Sequence, residues 1–151
     1  MEIIKQIEYK ALHGKSIFPW EKKWLMSEVD VKLLTDRGFD FEAFLLRIKH
    51  RLVNSILMKI ITRCRPFLSK SSLDEFIAQI MRFPSSDDLE GAIALGYQVD
   101  AELMKKYFIQ CKDEVAIYQG LCIVDRYGIE FCKRNEEKKD QQFIPGVGYC
   151  S

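Results

Sequence analysis

No stretch of this 151-residue sequence is apolar for long enough to span a bilayer. Apolar runs such as Phe44 to Leu46 and Ile60 to Ile61 are interrupted by Arg47, Lys49, His50, Arg51 and Lys59 well short of about 18 residues, so no transmembrane helix and no membrane partner are expected. The opening Met1-Glu2-Ile3-Ile4-Lys5 has neither the basic start nor the apolar core of a secretory signal, so export by that route is not expected. Asn-Gly and Asp-Gly hairpin turns are absent, and no run alternates apolar and polar for more than a few residues, which leaves little ground for strands.

Chemical motifs are missing as well. Histidine occurs only at His13 and His50, and no Cys-x2-Cys or His-x3-His spacing exists, so no metal site is expected. There is no phosphate-cradling glycine loop, no Gly-x-Ser-x-Gly elbow and no paired-carboxylate motif, and no cofactor is implied. Five cysteines, Cys64, Cys111, Cys122, Cys132 and Cys150, are an odd number without a dense framework. In a chain long enough to build its own core this pattern reads as free thiols in a reducing compartment, the cytoplasm of its own or of a host cell.

What is present is ordinary globular composition, 48% apolar and 30% charged, in a chain able to bury about two-thirds of its unfolded surface. The net charge is only +1, but it is unevenly placed. Between Ala43 and Leu73 no acid occurs, while Arg47, Lys49, Arg51, Lys59, Arg63, Arg65 and Lys70 are basic; from Phe83 to Met104 the pattern inverts, with Asp87, Asp88, Glu90, Asp100 and Glu102.

Apolar spacing predicts eight helical segments up to Phe131. The first, over roughly 2 to 13, stops at Gly14; a second begins at Pro19 and carries Trp20 and Trp24; a third, capped by Ser27, stops at Gly38. Asp40 caps one long helix that runs to Cys64, where Pro66 forbids continuation. Ser72-Leu73-Asp74-Glu75 reads as a capping box, Ser85 or Ser86 caps a helix ending at Gly96, Asp100 caps the next, and the last begins after Asp113 and stops at Gly128. Residues 1–131 are thus read as a single helical domain. Residues 132–151 are read as a polar tail whose Phe143 to Tyr149 segment lacks regular structure for its Pro and Gly content.

Three of these closures share a pattern. Leu33-Leu34 to Gly38-Phe39-Asp40-Phe41, Ile93 to Gly96 with Val99-Asp100, and Ile123-Val124 to Gly128-Ile129-Glu130-Phe131 each give a helix end, a glycine, an acid and an apolar residue, and Gly96 and Gly128 lie 32 residues apart. This resembles the ankyrin repeat, whose period is about 33 residues. Thr-Pro-Leu-His is missing from every helix start, and the long helix over 41–64 departs from the short pairs of that family. The fold class expected is all-α, either a stack of antiparallel helix pairs in an ankyrin-like solenoid or an irregular helical bundle.

The function expected is a non-enzymatic protein-interaction module, an adaptor, inhibitor or host-interacting virulence factor, with a protein partner anchored by aromatics such as Trp20, Trp24 and Tyr149. A first alternative is a nucleic-acid binder, because Arg47, Arg51, Asn54, Met58 and Arg65 share one face of a continuous 47–65 helix and could meet phosphates. The acids from Asp87 to Glu102 are the counter-charges offered against it. A second is a cysteine-dependent enzyme using His13 or His50 as base.

Overall fold

Aspartates open four of the described helices and glycines close four. In the computed structural model, residues 2–130 are described, together with the strand pairs 143–144 and 148–149. The elements are α1 Glu2–Leu12, α2 Pro19–Lys23 continued by a π-type turn Trp24–Glu28, α3 Val31–Asp36, α4 Phe41–Ile48, α5 Asn54–Cys64, α6 Lys70–Ile80, α7 Ser86–Ala94, α8 Ala101–Gln110 and α9 Glu114–Tyr127. The fold is all-α, and no described helix is long and apolar enough to cross a membrane.

Asp30, Asp40, Asp100 and Asp113 each accept the amide of the third helical residue, from Leu33, Ala43, Leu103 and Ala116, at 2.8–3.0 Å. Each carboxylate satisfies an amide that the helix cannot and complements the positive end of the helix dipole. Ser85 and Asp88 form a reciprocal box at α7. At the other ends, Lys15, Phe39, Tyr97 and Ile129 donate back five residues to Lys10, Leu34, Ala92 and Val124, each bond running past a glycine. At Gly96 the backbone reaches φ +97°, a region costly for any residue with a Cβ.

The expected helix over 41–64 is two helices. After α4 the chain tightens into a 3-10 turn at Lys49–Arg51, runs extended through Leu52 and Val53, and restarts at Asn54. Leu52 is buried by this detour, and side-chain hydrogen bonds run both ways between the break and α6. Gln79 Nε2 donates to the Lys49 carbonyl at 2.9 Å, and Asn54 Nδ2 donates to the Ile80 carbonyl. Two caps also move. Asp30 rather than Ser27 opens α3, while Ser27 Oγ donates to the Lys23 carbonyl. Helix α6 starts three residues before the expected box: Ser69 Oγ accepts from the Ser72 amide, Ser72 is buried, and Ser69 itself is held by the Glu42 carboxylate.

By its internal contacts the chain divides into two compact units, Met1–Ile80 and Met81–Ser151, where the sequence reading takes 1–131 as one domain. In the first unit, α1 packs on α4, and α5 packs on α6 and on the π-type turn. Phe41, Phe44, Leu45, Ile48, Leu57, Ile60, Ile61, Phe76 and Ile80 fill the space between them, each burial worth about 1.5–3 kcal/mol. In the second unit α7 and α8 both pack on α9, around Leu89, Val99, Met104, Tyr107, Phe108 and Ile123. Phe143 pairs with Tyr149 and Ile144 with Gly148 in an antiparallel two-residue ladder, in a segment expected to have no regular structure. The tail 132–142 and the side chain of Tyr149 lie outside the described residues.

Candidate functional site

The break before Asn54 takes apart the basic face read from the sequence. Arg47 lies on α4 and pairs with Glu8; Arg51 lies in the 3-10 turn and donates to the Lys15 carbonyl at 3.3 Å. Asn54 is bound to the Ile80 carbonyl, Met58 is buried, and Arg65 is exposed on the turn that follows α5. A helical wheel drawn through 47–65 assumes one axis, and there are two. Glu8 and Glu75 pair with Arg47 and Lys49 inside the first unit, whereas Glu90 pairs with Arg126 and Glu102 with Lys105.

Two cations on α5 remain. Lys59 and Arg63 are exposed, stand four residues apart, and form no ion pair or side-chain hydrogen bond with a described residue. They rim an apolar pocket of about 470 Å³ between the π-type turn and α5, lined also by Met26, Ser27, Met58 and Thr62. Both hydroxyls are engaged within their own elements, Thr62 Oγ1 donating to the Met58 carbonyl at 2.7 Å and Ser27 to Lys23. The walls therefore offer methyl and thioether surface rather than donors. Sequence reasoning missed this pair because its wheel ran through the break; the signal available was a Lys and an Arg at i, i+4 inside the acid-free stretch.

Near it, the expected aromatic anchors differ in exposure. Trp20 is 51% exposed on α2, and Trp24, in the π-type turn, is half-buried. Between them lies Glu21, wholly buried, whose two oxygens accept from Lys10 Nζ, Gln6 Nε2 and the Phe18 amide at 2.7–2.8 Å. Lys10 Nζ also sits 3.4 Å over the Phe18 ring. This cluster joins α1 to α2 and closes its carboxylate off from solvent.

Among the described thiols Cys64 is buried and Cys111 and Cys122 are partly so. Burial pushes the Cys64 thiol up to about 11, and burial raises Cys111 also, the opposite of what a nucleophilic thiolate requires. His13, just beyond the end of α1, hydrogen-bonds the Tyr9 carbonyl at 2.9 Å and stacks on the Tyr9 ring. Cys132 and Cys150 lie outside the described residues. No cluster of three His, Cys, Asp or Glu is placed to hold a metal among the described residues.

In the second unit, α9 turns Gly120 and Ile123 inward and leaves Val115, Tyr118 and Leu121 exposed by 65%, 68% and 42%. These three sit at successive i, i+3 positions and form one outward apolar stripe. A shallow cleft of about 480 Å³ lies at the glycine closures of α7 and α9, lined by Tyr97, Val99, Asp100, Tyr127 and Ile129 among others. No protein-family model matches this chain, and neither does any curated protein or solved structure.

Proposed function

We propose that the chain is a non-enzymatic protein-interaction module, an adaptor, inhibitor or host-interacting factor acting in the cytoplasm of its own or of a host cell. The observation that carries this reading is the stripe of Val115, Tyr118 and Leu121, three large apolar side chains turned to solvent on a helix whose opposite face is packed. Apolar groups aligned on a rigid helix recover their burial only against a partner. Ankyrin-like pairing of the helices agrees with this role. It is supported by the division of 41–64 into α4 and α5, which removes the long helix that stood against it, and by the shared glycine closures before Asp40 and Asp100. Free thiols at Cys64, Cys111 and Cys122 fit a reducing compartment.

The test is co-purification of the tagged chain from the cells that express it, beside a variant with Val115→Ser, Tyr118→Ser and Leu121→Ser. A stoichiometric protein retained by the wild type and lost by a variant of equal thermal stability is expected. A chain that purifies alone, or a variant that keeps the same protein, overturns the reading.

A further inference from the structure

The pocket between Met26 and Met58 has a chemistry of its own, and none of its lining residues belongs to α9. Its floor is Met58, only 8% exposed, and its wall is half-buried Met26. Unbranched thioethers reshape around an incoming apolar group at little cost in rotamer energy, which suits a site that receives a side chain. Because Ser27 and Thr62 already donate to carbonyls of their own elements, nothing in the pocket asks for a polar occupant.

The rim asks for the reverse. Of the basic residues between Ala43 and Leu73, Arg47, Lys49 and Lys70 have acidic partners and Arg51 is held by a carbonyl. Lys59 and Arg63 stand one helical turn apart at the mouth of the apolar pocket with no ion pair among the described residues, while Arg65, also without one there, lies on the turn after α5 and does not line it. Residues four apart on a helix stand about 5–6 Å from each other, the same spacing as two carboxylates one turn apart on a facing helix. One wall is also a π-type turn, in which the Val29 amide reaches back to the Trp24 carbonyl at 2.8 Å, a distortion that recurs at binding sites.

We propose that this pocket docks an acidic amphipathic helix of a partner protein, one apolar side chain entering between Met26 and Met58 while carboxylates a turn apart on that helix pair with Lys59 and Arg63. The mode is a helix laid in a groove, with the apolar anchor supplying affinity and the ion pairs supplying orientation and choice of partner.

The experiment uses the full chain with methyl-labelled methionines and three synthetic helical peptides that share one leucine stripe and differ only in flanking residues, glutamate, glutamine or lysine. The glutamate peptide is expected to shift the Met26 and Met58 methyl signals and to bind about three- to ten-fold more tightly than the glutamine peptide, with the lysine peptide weakest. Lys59→Ala with Arg63→Ala, both surface changes, is expected to erase that preference and leave the glutamine peptide unaffected. Equal binding of the glutamate and glutamine peptides overturns the proposal, as does a glutamate peptide that leaves both methyl signals unmoved. Sedimentation of the free chain closes the remaining case: a dimer abolished by the same double substitution assigns the pocket to a second copy and overturns it too. None of these outcomes touches Val115, Tyr118 or Leu121, so this proposal and the reading built on α9 fail separately.

Discussion

Gly120 of α9 faces Tyr107 of α8 so closely that a methyl group on its Cα would lie 2.5 Å from Tyr107 Cε2 and 2.8 Å from a carbon of the Phe108 ring. Both rings are buried, and Tyr107 is fixed further by donating its hydroxyl to the Ala116 carbonyl at 2.6 Å. The approach of the two helices is set by the missing side chain.

Gly120→Ala is therefore expected to destabilise the second unit even though alanine is the better helix former. The propensity gain is about 1 kcal/mol, while overpacking a closed core costs about 1–3 kcal/mol and here presses on rings that cannot swing away. Urea denaturation followed by tyrosine fluorescence checks the sign; an unchanged or higher midpoint refutes the close-approach account.

Glu21→Ala is expected to cost about 3–5 kcal/mol, because it leaves the Lys10 ammonium, 13% exposed, and the Phe18 amide without their acceptor. Replacing both members, Glu21→Leu with Lys10→Met, is expected to recover most of the loss, since no stranded charge remains. Thermal melts of the single and double variants decide it: recovery absent from the double variant shows that the carboxylate contributes more than compensation of Lys10.

Alkaline titration is expected to destabilise the fold in two overlapping windows. Burial holds the Cys64 thiol at about 11 against 9.0 in the unfolded chain, and the Tyr107 phenol, through burial first, at about 12 against 10.0. In both cases the folded state keeps its proton over a range where the unfolded state has lost it, so stability is intact below pH 9 and falls as pH rises from 9 toward 12. Denaturation midpoints across this range measure the loss, and Cys64→Ala is expected to flatten its lower half. Native Cys64 is also expected to resist a disulfide-exchange reagent at neutral pH.

Helix ends were legible where the signal is local. The closures at Gly14, Gly38, Gly96 and Gly128 all adopt positive φ, and the caps Asp40, Asp100 and Asp113 all accept the expected amide, because each depends on a handful of neighbouring residues. Features fixed by distant partners were not. The break at Leu52 and Val53 contains neither glycine nor proline and is stabilised by Gln79, 30 residues from Lys49. The choice of Ser69 over Ser72 as cap turns on Glu42, 27 residues away. A wheel drawn through the break unites Arg47 with Arg65 and passes over Lys59 and Arg63, which share a single unbroken helix.

The joint from Gly96 to Asp100 has a consequence for how this chain can vary. One helix is terminated by the Tyr97 bond to Ala92 and the next is started by Asp100 on Leu103, and neither bond crosses the residues between. A residue inserted at Gln98 therefore shifts no hydrogen-bond frame on either side. Each helix keeps its own hydrogen-bond frame, and what ties the two together across the joint is the packing of Val99, buried between Leu89 of one helix and Met104 of the next in a shared core.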